Sequence, residues 1–346
     1  VEPEIAAAND ASTEVGLSPQ TFRRFTYPAL ASQMLIVLTG AIVRLTESGL
    51  GCSDWPTCEQ DQLIPEIEGH AWIEFGNRLL AFLVTVAAVA VLIAARRRVG
   101  DRRDLVRLSW GLAAGTVGQI VLGGIVVLSD LNPWLVLGHF VLSMILIWDA
   151  LLLVHRSNID DDVIAGASMQ SYRPQAWLIT ALAAVAIFVG TLVTGSGPHT
   201  GSSDGDPITR LPFSIRSITR VHSTSVVILI TVTVATAWWL RSVGGRPTER
   251  RRLSAAIAIM LVQGAVGYVQ YFTGVPAVLV GVHVAGAISV WAAVIWFHLS
   301  TAADPVNAAD VVWGRSAFSP LGAATKGSIV TAASGVNTSP TSDMPA

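Results

Sequence analysis

Eight stretches of the chain are predominantly apolar, at about 27–46, 72–95, 106–129, 133–154, 175–195, 218–240, 253–274 and 276–300. Crossing about 30 Å of hydrocarbon takes roughly twenty residues of helix, so each stretch predicts one crossing. Helices are expected because backbone in lipid must satisfy its own polar groups. No alternating pattern of about ten residues points to a barrel. Asp130-Leu131-Asn132-Pro133 separates the third and fourth stretches, and Gly274-Val275-Pro276 the seventh and eighth. Both read as tight hairpins between antiparallel neighbours. A polar stretch near 157–174 then divides the chain into two four-helix bundles, 27–156 and 175–300. The expected fold is an all-α integral membrane protein of eight transmembrane helices in two pseudo-symmetric bundles. Residues 1–26 and 301–346 read as polar tails, the second disordered because it is rich in Ala, Ser, Gly, Thr and Pro.

Composition agrees. The 346 residues are 52% hydrophobic and 13% charged, with mean hydropathy +0.57, outside the range of a soluble domain. A net charge of −2 gives no reason to expect a nucleic-acid partner; lipid is the expected surrounding. Among the basic residues only Lys326 is not arginine. Arginines gather in alternate loops: Arg23 and Arg24; Arg96, Arg97, Arg98, Arg102 and Arg103; Arg156 and Arg173; Arg246, Arg250, Arg251 and Arg252. By the positive-inside rule that side is cytoplasmic, with both termini, and a cell membrane is the expected place. The opposite side carries the loops 47–69 and 195–217. The polar start, Val1 to Gln20, does not read as a signal peptide.

One shift of 144 residues superposes Gln119 on Gln263, Gly123 on Gly267 and His139 on His283. This marks a duplicated helix pair. Upstream, the helix start Glu74-Phe75-Gly76-Asn77-Arg78 can be matched to Ile218-Thr219-Arg220-Val221-His222 as well. The second copy thus offers His222 and His283, and the first offers Asn77 and His139. His139 and His283 lie about seven residues into their spans, roughly 10 Å deep at 1.5 Å per residue. A buried imidazole in a membrane is a functional candidate, with an interhelical hydrogen bond as the plainer reading. Two histidines at matched depth favour a metal. Structural zinc wants four ligands, often cysteine. A pair of imidazoles leaves the equatorial positions for a porphyrin, which a four-helix bundle can enclose. His155 and His298, near the other helix ends, read as interfacial, and Gln119 and Gln263 as interhelical hydrogen-bond donors.

Glu74 shares a helix face with Asn77 and precedes Arg78 by four residues, in the favourable order for an ion pair. It reads either as a carboxylate at a helix start or as an acid–base or cation-stabilising group. Cys52 and Cys58, six apart on the non-cytoplasmic side, can close a disulfide. A staple and a redox-active pair are both open readings. His199 reads as a surface residue, a lid or an anion partner. Arg210, Arg216 and Arg220 could meet propionates or Asp204 and Asp206. Trp55, Trp72, Trp134 and Trp313 read as interface anchors.

These residues resemble the heme A synthase family. The resemblance runs through Gly40-Ala41-Ile42-Val43-Arg44-Leu45-Thr46, then Ser48-Gly49-Leu50-Gly51-Cys52, Asp54-Trp55-Pro56 and Cys58. It continues in Glu74 with Arg78, Gly195-Ser196-Gly197-Pro198-His199, Arg220-Val221-His222 and Gly281-Val282-His283, and covers about 27–300. It implies oxidation of a methyl group of heme O to a formyl group, giving heme A, by successive hydroxylations. It also implies a heme b cofactor on His222 and His283, and substrate heme at His139 beside Asn77 and Arg78. Glu74 is the implied catalytic residue, and Cys52 with Cys58 relay reducing equivalents or brace their loop. Heme O synthase and cytochrome c oxidase assembly are the implied partners, with self-association left open. The sequence departs from the family at Asn77, where many members have histidine; asparagine is a poor iron ligand, so His139 is expected to hold the substrate alone. Two competing readings are a di-heme, quinol-linked cytochrome b and a transporter. The first leaves Glu74 and the cysteine loop idle. The second expects broken helices at the midplane.

Overall fold

A computed structural model describes residues 16–52, 54–58, 62, 64–65, 69–159, 161, 173–202 and 209–301. Most of the two tails and of the polar linker lie outside the described residues, as do Trp313, Asp204 and Asp206. The described residues form helices and no named strand: α1 Pro19–Leu45, α2 Gly69–Arg97, α3 Arg103–Leu128, α4 Pro133–Ser157, α5 Pro174–Ser196, α6 Ile215–Ser242, α7 Pro247–Phe272 and α8 Ala277–Ser300. All eight are long and apolar enough to cross a membrane. Large apolar side chains face outward along them, Val262 66% and Phe272 78% exposed, as lipid contact requires. The protein is a multi-pass membrane protein.

The helices outrun the apolar stretches because charged turns cap them. α1 starts at Pro19, ahead of Tyr27: the Ser18 hydroxyl accepts from Thr21 N at 3.2 Å, and proline at the first position gives up no hydrogen bond. α7 starts at Pro247 rather than near 253. Glu249 is fully buried; it accepts from the Arg246 amide at 3.3 Å and from Arg246 Nη2 at 2.9 Å, which draws the arginine-rich turn into the helix. On the same face Asp161 joins Arg98 (2.7 Å) to Arg102 (2.9 Å). Burial opposes the Asp161 charge, but the hydrogen bonds from both arginines outweigh it and hold the carboxyl below its ordinary value. These loop arginines therefore hold α2, α3 and the segment after α4 together, beyond marking one side of the membrane.

The duplication reaches the backbone. Leu131 and Val275, 144 apart, both adopt positive φ, +54° and +62°. Each donates its amide five residues back, to Val126 O (3.0 Å) and Gln270 O (2.8 Å). A β-branched residue seldom takes this conformation, so the turn geometry is held by the antiparallel helices on either side. In each half the helices form a ring, α1–α2–α3–α4 and α5–α6–α7–α8, so α2 faces α4, and α6 faces α8, across a diagonal. α1 and α4 of the first ring pack on α5 and α8 of the second. One apolar core runs through this seam, from Val37, Met144 and Ile147 to Ile179, Trp291 and Val294. Trp291 Nε1 donates to Met144 O at 2.9 Å. His298 is not interfacial as expected: it is 2% exposed, bonded to Thr180 Oγ1 (2.9 Å) and edge-on to Trp177.

Candidate functional site

The functional side chains gather at the end of the bundles opposite the arginine network. His222 on α6 and His283 on α8 come from diagonal helices and face one another across the second bundle. Their ring centroids are 6.3 Å apart and their planes 76° apart. Two metal–nitrogen bonds of about 2 Å, with each ring centre about 1 Å behind its nitrogen, add to about 6 Å. The spacing thus fits one metal ion ligated from both sides. His222 Nδ1 donates to Ala186 O at 3.0 Å, which leaves Nε2 as the nitrogen that could ligate, the outer-shell arrangement usual for metal-binding histidines. His283 Nδ1 is buried without a partner. Glycine makes room for both rings: a Cβ at Gly190 or at Gly267 would stand 3.0 Å from Cε1 of His222 or His283. Among the described residues no three His, Cys, Asp or Glu side chains group to hold an ion. Paired imidazoles in such a setting suit an iron that brings its own equatorial ligands.

The first bundle repeats half of this plan. His139 on α4 lies against Gly123 of α3, where a Cβ would meet Cε1 at 3.3 Å, and its Nδ1 is buried without a partner. Gln119 Nε2 donates to His139 O (3.0 Å), as Gln263 Nε2 does to His283 O (2.7 Å), so the expected interhelical bonds form in both copies. Across the diagonal stands Asn77. A uniform shift of 144 sets Arg78 at the place of His222, with Asn77 one residue before it. Thr39 Oγ1 donates to Asn77 Oδ1 (2.8 Å) and lies 3.1 Å from Ile36 O, so Asn77 is tied to α1 much as His222 is tied to α5.

The loop between α1 and α2 closes over this end. Cys52 and Cys58 form a disulfide and are buried. Glu74, 4% exposed, accepts from the Cys52 amide at 2.8 Å through Oε2 and from Arg78 through Oε1. Arg78 Nη1 donates to Asp54 O (3.0 Å) and Thr57 O (2.8 Å). Every nitrogen of the Arg78 guanidinium is therefore turned to the loop or to Glu74. Trp72 and Trp134 are exposed, as interface anchors would be, but Trp55 is not one of them. Its ring lies on Gly124, where a Cβ would come within 2.6 Å of it, next to the glycine that seats His139. At the matching place in the second bundle, Tyr268 is exposed. Gly124→Val should displace Trp55, an overpacking effect of about 1–3 kcal/mol. Reduction of the disulfide by a small thiol is then expected to accelerate about tenfold; an unchanged rate would mean that Trp55 does not secure the loop.

The loops of the two halves also meet. Gly49 N donates to Gly201 O at 2.7 Å, and Ser48 pairs with Ser202. His199 is fastened rather than free, with Nε2 donating to Val275 O (2.9 Å). Arg210, Arg216 and Arg220 are exposed. Sequence reasoning gave no role to Arg44, Gly124 or Gly190. An arginine inside an apolar helix end was the signal for the first. The two glycines carry no signal until a ring is seen against them.

Residues 23–200 match the family described as cytochrome oxidase assembly protein (COX15-CtaA). A heme A synthase of Symbiobacterium thermophilum is 30% identical over 255 residues, 68% of this chain and 81% of that protein. One from Lysinibacillus sphaericus is 29% identical over 186 residues, 52% of this chain and 58% of its own length. One from Geobacillus thermodenitrificans is 34% identical over 115 residues, 33% of this chain. The chain spans about a third of the length of that last relative, at 35%. The family match takes in the Trp55 loop, Glu74 and His139, and the long Symbiobacterium alignment exceeds a single bundle. On these matches the chain belongs to the COX15-CtaA family of cytochrome oxidase assembly proteins.

Proposed function

We propose that this protein is a heme A synthase, an oxidoreductase that converts a methyl group of heme O to a formyl group. The observation that carries the reading is the 6.3 Å facing pair His222 and His283, against His139 and Asn77 on the corresponding helices of the other bundle. A duplicated fold with one complete and one incomplete ligand set suits a resident group in one half and a substrate in the other. The relatives named above, each a heme A synthase, support the same chemistry.

In this reading the bundle 175–300 keeps heme b on His222 and His283, and 27–156 receives heme O at His139. Iron, when bound, supplies the one-electron and oxygen chemistry that side chains lack. The protein residues orient and enclose. His139 fixes the substrate from α4. Asn77, with its oxygen engaged by Thr39, offers no second ligand and leaves that side open to a small reactant. Glu74 places a negative charge under the loop, suited to stabilising positive charge that develops on the substrate. Arg78 holds Glu74 and the loop backbone together. Trp55 closes the pocket against water. Cys52 and Cys58 brace that cover or pass reducing equivalents to the site. The arginine network faces the cytoplasm with both termini, in the cell membrane, and the cysteine loop lies outside. Heme O synthase would supply the substrate, and assembly of cytochrome c oxidase would use the product.

Expression in a host that makes heme O but not heme A tests the reading. Extracted heme should contain heme A or its hydroxylated precursor. Heme O alone, with a b-type signal present, would instead favour an electron carrier.

A further inference from the structure

Arg44 ends α1 between the two bundles, where backbone carbonyls hold its guanidinium. Nε donates to His199 O at 2.9 Å and Nη2 to Thr194 O at 3.1 Å. No carboxylate of the described residues pairs with it, whereas Arg78, Arg98, Arg102, Arg156, Arg173 and Arg246 each have one. The two carbonyls orient the guanidinium and leave Nη1 free to donate. Gly201, at φ +101°, brings the paired loop onto the arginine, with the place of a Cβ 3.4 Å from Arg44 Cγ. A half-buried cation fixed by neutral acceptors is expensive without a counter-charge.

Its depth names the counter-charge. Arg44 lies five residues beyond Thr39, the partner of Asn77, and its acceptor Thr194 lies four beyond Gly190, the seat of His222. At 1.5 Å per residue both pockets are therefore about 6–8 Å below it. Leu45, the next residue, lies beside Gly281, two residues before His283. We infer that Arg44 binds a carboxylate side chain of a tetrapyrrole seated in one of the two bundles. The inference rests on the heme reading above and adds a residue to it: the macrocycle stands with its acidic edge toward the loop face, where a planar fork of donors can grip one carboxylate.

The test uses the full chain, purified in detergent from a heme-deficient host, and titrates ferric protoporphyrin IX and its dimethyl ester by absorbance. The wild type should bind the diacid about tenfold or more tightly than the ester, the worth of one hydrogen-bonded charge. Arg44→Gln should bind both alike, at the affinity the wild type shows for the ester. Arg44→Lys, which keeps the charge but not the fork, should fall between and guards against a folding defect in the glutamine variant. An Arg44→Gln protein that keeps the wild-type preference overturns the inference, as does a wild type that binds both porphyrins equally. A wild type that binds neither overturns the heme reading itself. Repeating the titration in His283→Ala and His139→Ala assigns the carboxylate: the preference disappears with the histidine of the bundle whose tetrapyrrole Arg44 holds.

Discussion

Replacing His283 with alanine is expected to abolish the low-spin b-type spectrum of the purified protein, while His139→Ala leaves it in place. The physical reason is the asymmetry of the two bundles. His283 and His222 are a facing imidazole pair, at a separation that would suit one metal ion between them. Losing an outer hydrogen-bond partner of a metal ligand costs about 10–100-fold in affinity; losing the ligand itself should cost more and change the spin state. Gly267→Ala provides a graded control. Its Cβ would stand 3.0 Å from the His283 ring, so the ring must shift and heme retention should fall without vanishing. Absorbance and electron paramagnetic resonance of the three variants check this. A normal low-spin spectrum in His283→Ala would show that the resident heme is held elsewhere.

Glu74→Ala is expected to lower conversion of heme O by about 100-fold or more while the b-type spectrum persists. Because Glu74 accepts from both the Cys52 amide and Arg78, alanine removes a charge and unties the loop at once. Glu74→Gln separates the two effects. Its amide oxygen can still accept from Cys52 N, but the charge opposite Arg78 is gone. If the charge serves the chemistry, glutamine is as inactive as alanine and the disulfide stays resistant to thiol. If Glu74 only holds the cover, glutamine restores turnover. The ratio of heme A to heme O in extracts, with the rate of disulfide reduction beside it, distinguishes the outcomes. Full turnover in Glu74→Ala would remove Glu74 from the reaction.

The spans, the hairpins at 130–133 and 274–276 and the histidines at matched depth were legible because hydrophobic length and a repeated shift survive in one dimension. Other features needed neighbours. His298 was read as interfacial from its place near a helix end, but the seam between bundles buries it beside Trp177 and Thr180. Trp55 was read as an anchor, as exposed aromatic residues in outer loops often are, until Gly124 proved to be its seat.

The sequence by itself determined that this is an eight-helix, duplicated membrane protein whose second half has His222 and His283 where its first has Asn77 and His139. Apolar length, arginine placement and residue identity at a fixed shift carry that information without reference to contacts. Only the tertiary structure decided that His222 and His283 face each other across a diagonal, that Glu74 and Arg78 grip the cysteine loop, and that Arg44, between the bundles, has no carboxylate partner among the described residues. Those facts depend on which helix faces are brought together: within each ring for the histidine pair and for Glu74, and between the rings for Arg44, whose bond to His199 O spans 155 positions.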